Sequence, residues 1–128
     1  MRYSLLVIAF LLISGLSLAD SCDELVEAFK SGNPAKISKF LNKTVDLTIS
    51  GIAVEDIYPK AKAEQFIKDF FAKNSPKNFT TIHKGSSKEG TRFVIGTLNT
   101  SGGAYRTHFI VRNINGQDFL EELKIEKE

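Results

Sequence analysis

The chain has 128 residues, of which 42% are hydrophobic and 25% are charged, a composition typical of an ordinary globular protein. The formal net charge is +2 and the basic residues are scattered, which argues against binding to a nucleic-acid backbone. A domain of this size can fold without a metal ion or a disulfide bond, and the single cysteine could not form a disulfide within the chain.

The N-terminal segment has the features of a cleavable signal peptide. Arg2 supplies a short positive region, an apolar stretch runs from Leu5 to Leu18, and small residues occupy the −3 and −1 positions of a cleavage site after Ala19. The apolar stretch is short for a membrane span, so we favour cleavage over an uncleaved anchor. We expect residues 1–19 to be removed, leaving residues 20–128 as one secreted or periplasmic domain with no membrane span.

Cys22 permits a second interpretation, because a cysteine just after an apolar stretch is the lipid attachment point of bacterial lipoproteins. The preceding Ala19-Asp20-Ser21 fits the lipoprotein pattern poorly, since its middle residue is acidic. Ser21 and Glu24 have the spacing of a capping box, which predicts Ser21 as the N-cap of a helix. Cys22 then shares the apolar face of that helix, and we interpret it as a packed core residue.

The first half of the mature sequence predicts helices and two strands. Gly32 is a typical helix stop, and Asn33-Pro34 provides the N-cap and first residue of another helix. In chain order the predicted elements are a helix at 22–30, a short helix from 34, a strand at 44–50, an edge strand at 53–58 and a long helix at 60–73. The long helix has the clearest periodicity, with one apolar face formed by Ala63, Phe66, Ile67, Phe70 and Phe71.

The second half predicts a four-stranded antiparallel meander at residues 79–85, 92–100, 104–113 and 119–126. A two-residue turn at Gly102-Gly103 would pair Leu98 with Thr107. Placing Phe109 opposite Leu123, so that both face the core, requires a three-residue loop at 115–117 in the last connection. The predicted register therefore includes this longer loop.

Alternation along the strands gives the meander two different faces. The face expected under the long helix carries Val94, Leu98, Tyr105, Phe109 and Val111. The opposite face, which we call the outer face, is rich in apolar residues for a surface exposed to solvent. Its candidate residues for a dimer contact are Phe93, Ile95, Arg106, His108, Ile110, Arg112 and Leu120, with Glu122 at the margin.

The order of these elements resembles the nuclear transport factor 2-like superfamily, which includes SnoaL-type cyclases and ketosteroid isomerase. Four segments also resemble one bacterial family of exported domains of unknown function within it: His83–Ser86, Ile95–Thr100, Gly103–Arg106 and Leu120–Glu126. The resemblance implies an α+β fold of two short N-terminal helices and one long helix on a curved, mainly antiparallel sheet. It also implies a pocket or core at the open end of a cone, and dimerisation through the sheet.

The residues that could line such a pocket are aromatic: Tyr58, Phe66, Phe70, Tyr105 and Phe109. Because an aromatic stripe at helical spacing usually packs in the core, we favour core filling over a pocket for these residues. The ketosteroid isomerase set, an aspartate base with a tyrosine and a protonated aspartic acid, cannot be placed on this sequence. The histidines, His83 and His108, have no third metal ligand or nucleophile at a recognisable spacing. We therefore assign no catalytic residue, metal or cofactor.

We predict an exported, non-catalytic binding or interaction module that forms a homodimer through the outer face. The alternatives are a protein that binds a small apolar ligand, an isomerase- or cyclase-like enzyme using the cone pocket, and a module that contacts another envelope protein.

Overall fold

A computed structural model describes residues 20–87 and 89–128. These residues form three helices and six strands in the order α1 (Ser21–Ser31), α2 (Pro34–Ser38), β1 (Leu41–Ile49), β2 (Val54–Pro59), α3 (Lys60–Lys73), β3 (Pro76–Ser86), β4 (Thr91–Thr100), β5 (Gly103–Ile114) and β6 (Gln117–Lys127). The predicted order of elements and the α+β class are confirmed. The predicted signal peptide lies outside the described residues. No helix within the described residues is long and apolar enough to cross a membrane.

The helix ends follow local capping chemistry, with one correction. The N-cap of α1 is Asp20 and not Ser21, because the Asp20 carboxylate accepts a 3.0 Å hydrogen bond from the backbone N–H of Cys22. Gly32 ends α1 in the left-handed conformation, with φ at 63°. Asn33 caps α2 as predicted, through a 3.2 Å bond from the Lys36 N–H.

The six strands form one curved, open sheet in the order β2-β1-β6-β5-β4-β3. All neighbouring pairs are antiparallel except β1 and β6, which are parallel. The helices cover one face, where α1 packs on β3 and β4 and α3 packs on β1 and β2. The inner face of the meander, which we had expected under the long helix, is shared by α1 and α3.

The β4–β5 hairpin is shifted by two residues from the predicted register. Thr100 pairs with Gly103, so the turn is Ser101-Gly102 and Leu98 pairs with Tyr105 instead of Thr107. Because side chains alternate with a period of two, a shift of two residues keeps every side chain on its predicted face. The buried positions of β4 and β5 are consequently those expected.

The β5–β6 hairpin reaches the predicted pairing by another route. Phe109 lies opposite Leu123 as predicted, but Ile114 pairs with Gln117, so the turn is the two-residue Asn115-Gly116 and the three-residue loop is wrong. The extra residue is accommodated in a β-bulge at Glu121, between the pairs Ile110–Glu122 and Val111–Leu120. The favoured Asn-Gly turn and the core pattern are therefore both kept.

Candidate functional site

The five candidate pocket residues take part in separate aromatic contacts. Tyr58 of β2 packs edge-on against Phe66 of α3, with ring centroids 4.9 Å apart. Phe70 of α3 packs edge-on against Tyr105 of β5 at 5.0 Å. Phe109 lies against neither pair, and instead stacks on a helix residue that the sequence analysis had not considered for the pocket. The five residues are therefore split over separate aromatic contacts.

That helix residue is Phe29 of α1, which is fully buried between the helix and the sheet. Its ring stacks on Phe109 at 5.5 Å and on Phe79 at 6.1 Å, and it meets the edge of Phe71 at 6.3 Å. Aromatic side chains thus occupy the space between α1 and the sheet. None of these four rings lines the surface depressions described below.

The Tyr105 hydroxyl has the polar partner that a buried phenol needs. Tyr105 is 7% exposed, and its hydroxyl donates to Oδ1 of Asn74 at 3.3 Å, just after the end of α3. This contact ties β5 to the end of the long helix. It gives Tyr105 a structural role.

The outer face brings together most of the predicted dimer residues around an apolar centre. Phe93, Ile95 and Ile110 are half-buried, and Phe93 is the cross-strand partner of Ile110. The Phe93 ring lies 5.4 Å from the imidazole of His83 and 6.4 Å from that of His108. We call Phe93, Ile95 and Ile110 the apolar centre.

Gly85 on β3 leaves room for the Phe93 ring. A Cβ atom at Gly85 would lie 2.7 Å from the nearest ring carbon, closer than real side chains approach one another. Because glycine carries no Cβ, the ring can extend across the neighbouring strand. The Phe93 side chain is therefore packed on its own sheet.

Leu120 does not belong to the outer face, where we had placed it. It is fully buried and is paired with Val111 on β5 and with Leu41 on β1. The bulge at Glu121 changes the alternation of β6, which turns Leu120 to the core and leaves Glu121 and Glu122 half-exposed. The predicted dimer face thus loses one apolar residue.

The charges of the outer face are divided between its two halves. On β5 the outward positions include Arg106 and Arg112, and no described residue at an outward position of β3, β4 or β5 is acidic. The strands β6, β1 and β2 carry mainly carboxylates there: Asp46, Glu55, Glu121, Glu122 and Glu126, with Lys124 among them. Two surface ion pairs cross the boundary, Arg106–Glu128 at 3.1 Å and Arg112–Glu121 at 3.3 Å.

A polar cluster at the start of α1 was missed by the sequence analysis. Arg92 of β4 forms ion pairs with Asp20, the N-cap of α1, and with Asp118 of β6. Asp118 also accepts a 2.9 Å hydrogen bond from the Asn113 side chain. The guanidinium of Arg92 therefore joins the first turn of α1 to two strands.

The cluster shifts the pKa values of its members. Burial alone would raise the pKa of Asp118, but hydrogen bonds from Asn113, Ser21 and Arg92 lower it below its usual value. Burial alone would lower the pKa of Arg92, but the hydrogen bond to Asp118 and the charge of Asp20 raise it. The pKa of the Cys22 thiol is raised, first by burial and then by the nearby Asp20 carboxylate. Cys22 is consequently a neutral, weakly reactive thiol.

Two adjoining depressions of about 290 and 330 Å³ lie beside this cluster, between α1 and β3. They share Cys22, Lys84 and Val94 in their linings, with acidic residues of α1 on one side. A further depression of about 350 Å³ lies between α1 and α2, over Phe40. Within the described residues, no group of three or more histidine, cysteine or acidic side chains is placed to hold a metal ion.

Comparison with solved structures gives relatives at two distances. A DUF4783 family protein from Bacteroides ovatus is 30% identical, and the match covers 82% of this chain and 93% of that one, with a TM-score of 0.76. A DUF4783 family protein from Bacteroides uniformis is 28% identical over 83% of this chain and 95% of that one, with a TM-score of 0.77. An NTF2-like protein of unknown function from Cytophaga hutchinsonii is 14% identical over 85% and 88% of the two chains, with a TM-score of 0.58, and shares the fold alone.

Residues 22–126 match the family described as a domain of unknown function, DUF4783, while no curated protein matches the chain. The resemblance to a bacterial family of unknown function within the nuclear transport factor 2-like superfamily is thereby confirmed. The chain belongs to the DUF4783 family and has the nuclear transport factor 2-like fold.

Proposed function

We propose that the protein is an exported, non-catalytic interaction module that forms a homodimer through the outer face of its sheet. The observation that carries this proposal is the apolar centre, Phe93, Ile95 and Ile110, on the side of the sheet opposite the helices. Phe93 and Ile110 are direct cross-strand partners, whose Cβ atoms lie about 5 Å apart in such pairs. They form one continuous apolar surface, which a partner would shield from water.

The charges around this centre favour a second copy of the chain as the partner. A two-fold interface uses the same surface on both subunits, so the surface must complement itself. The outer face has arginines on β5 and mainly carboxylates on β6, β1 and β2. The apolar centre lies on β4 and β5, so a two-fold axis along the strands and between these two lays it on its counterpart and sets the carboxylates of β6 opposite β3, which carries no acidic residue at its described outward positions.

The size of the face is sufficient for a dimer. Six strands spaced about 4.8 Å apart, each rising about 3.3 Å per residue, make a surface of about 24 by 30 Å, or about 700 Å². This is close to the area of about 800 Å² that each partner buries in a standard interface. The ion pairs Arg106–Glu128 and Arg112–Glu121 are exposed, so exchanging them for pairs with a partner costs little.

The packing of the core does not favour the alternative of a small apolar ligand. Such a ligand was expected between the long helix and the sheet near Tyr105, and there the Phe70 ring of α3 packs edge-on against Tyr105 with centroids 5.0 Å apart. We therefore argue only the dimer.

Light scattering coupled to size-exclusion chromatography tests the proposal on the purified mature chain. We expect the wild type to be a dimer at high micromolar concentration. The dissociation constant of the dimer should be at least about tenfold higher for Ile95→Asp and for Ile110→Asp than for the wild type. Ile82→Asp is the matched control, because Ile82 is 56% exposed on the edge strand β3 and lies outside the apolar centre. Far-UV circular dichroism checks that each variant is folded.

A monomeric wild type under these conditions would refute the proposal. A dimer that both aspartate variants leave intact would also refute it, because the contact would then lie elsewhere. A dimer that weakens as salt is raised is the further result expected from opposite charges meeting at the interface.

A further inference from the structure

We infer that the depression between α1 and α2 binds a small zwitterion with an apolar side chain, that is, a free amino acid or a dipeptide. The depression has a volume of about 350 Å³, which lies at the lower end of the range for small-molecule sites. It is on the helix side of the molecule, so a dimer formed through the outer face would leave it open. The inference is therefore independent of the proposed dimer, and its site is separate from the expected cone pocket.

One wall of the depression is acidic. It is formed by exposed side chains of α1: Asp23, Glu24 and Glu27. Glu27 is three positions from Glu24 and four from Asp23, so the carboxylates share one side of the helix. Asp23 and Glu24 are favoured by the dipole of the first turn, but Glu27 lies beyond that turn and is repelled by both. A ligand ammonium group beside this wall would offset the repulsion.

The opposite wall is basic. It is formed by Lys36 in the last turn of α2 and by Lys39, the C-cap residue of that helix. Among the described residues, no ion pair joins these lysines to the carboxylates of α1. The two walls therefore carry opposite charges that do not neutralise one another by direct contact. A ligand carboxylate beside the lysines would be the counterpart of an ammonium group beside α1.

The floor of the depression is the Phe40 ring, which is half-buried and packs against the core. The backbone of Phe40 is held in place because its carbonyl oxygen accepts the N–H of Leu120 on β6. The Lys39 ammonium lies 5.8 Å from the centroid of the ring, so the basic wall and the apolar floor adjoin. An apolar side chain resting on this ring would be shielded from water while the ligand carboxylate stays near Lys39.

The combination of an acidic wall, a basic wall and an aromatic floor selects the class of ligand. A simple anion or a simple cation would meet a like charge on one of the walls, whereas a zwitterion meets an opposite charge on both. The depression of about 330 Å³ between α1 and β3 gives a comparison, because Asp23 and Glu27 border it too. Its lining contains one lysine, Lys84, and no aromatic residue, so it lacks the floor and half of the basic wall.

NMR titration of the isotope-labelled mature chain with the dipeptide leucylphenylalanine tests the inference. We expect saturable shifts of backbone amide signals in α1, α2 and the start of β1. Two analogues each lack one charge: the N-acetylated dipeptide has no ammonium group, and the dipeptide amide has no carboxylate. Each analogue should bind about two- to fivefold more weakly than the dipeptide, as expected for the loss of one exposed charge pair.

Charge-neutralising variants then test the orientation of the ligand. Glu24→Gln should weaken binding of the dipeptide about two- to fivefold and leave binding of the N-acetylated analogue unchanged. Lys36→Gln should weaken binding of the dipeptide to a similar extent and leave binding of the amide unchanged. Both side chains are exposed, so neither variant should unfold the protein. Lys68→Gln is the matched control, because Lys68 is exposed on α3 and does not line the depression.

Several results would overturn the inference. These are the absence of saturable shifts at millimolar dipeptide, shifts centred outside α1 and α2, and an analogue that binds as tightly as the dipeptide. Glu24→Gln and Lys36→Gln variants that bind the dipeptide as tightly as the Lys68→Gln control would also overturn it. A monomeric wild type in the light-scattering test would refute the dimer and leave this result unaffected, and the reverse is also true.

Discussion

Replacing Arg92 by alanine removes both ion pairs that hold the start of α1 against β4 and β6. Arg92 is 29% exposed, and its partners Asp118 and Asp20 are 16% and 42% exposed. A hydrogen bond to a charged group contributes about 1.5–3 kcal/mol when it is shielded, and an exposed ion pair contributes less than about 1 kcal/mol. We assign about 1.5 kcal/mol to the Asp118 pair and about 0.5 kcal/mol to the Asp20 pair. The variant should therefore lose about 2 kcal/mol of unfolding free energy.

Urea unfolding followed by far-UV circular dichroism measures this loss at neutral pH, since the chain has no tryptophan to report by fluorescence. In a thermal scan the same loss corresponds to a midpoint about 8–10 °C lower. Arg112→Ala is the matched control, because Arg112 is 53% exposed and pairs with Glu121 at 3.3 Å on the surface. It should cost less than about 1 kcal/mol.

The reasoning is refuted if Arg92→Ala costs no more than Arg112→Ala. A double-mutant cycle with Asp118→Asn gives a second check, because the coupling between Arg92 and Asp118 should be about 1 kcal/mol. A coupling near zero would mean that the two side chains do not stabilise one another.

Further expectations concern the acid stability of the cluster and the position of the bulge. The pKa of Asp118 is lowered by folding, so its contribution is complete above its unfolded pKa of about 3.8 and is lost as the pH falls through the folded pKa. Asp118→Asn should therefore be less stable than the wild type at neutral pH and approach it below about pH 4; a constant difference down to pH 2 would contradict this. Leu120→Ala should cost about 2–5 kcal/mol, whereas Ile110→Ala on the outer face should cost about 1 kcal/mol. Similar costs at these positions would place Leu120 outside the core.

The strand faces and the long helix could be predicted because each depends on a local period. The alternation of β1 requires only its own residues, and the apolar spacing from Ala63 to Phe71 defines one helix face. The bounds Lys60–Lys73 are those predicted. The predicted β4–β5 register was wrong by two residues, but every side chain still lies on its predicted face because side chains alternate with a period of two.

The position of the extra residue in the last hairpin could not be obtained in this way. A longer loop and a bulge both place Phe109 opposite Leu123, and they differ only for the residues between the loop and the bulge. Leu120 is one of those residues, which is why it alone of the predicted dimer residues was given the wrong face. If the turn is the two-residue Asn-Gly, Leu120 is out of phase with the core residues further along β6. This mismatch is the signal that would have indicated the bulge.

The Arg92 cluster was missed for a different reason. Arg92 has the same inward phase as Val94, and an arginine in that phase needs buried acidic partners. Asp118, in the same phase as Leu120, could have been identified as one of them. Asp20 could not, because its approach to β4 depends on how α1 packs on the sheet and not on any spacing in the sequence.

The place of β6 has a consequence for the order in which the protein can fold. The last strand along the chain lies between β1 and β5, near the middle of the sheet. Until it is present, the N-terminal unit of β1, β2 and α3 has no neighbouring strand through which to join the β3–β5 meander. Folding must therefore wait for contacts between distant parts of the chain, which are slow to form. Loss of the whole of β6 should divide the sheet in two, while loss of either edge strand would only narrow it.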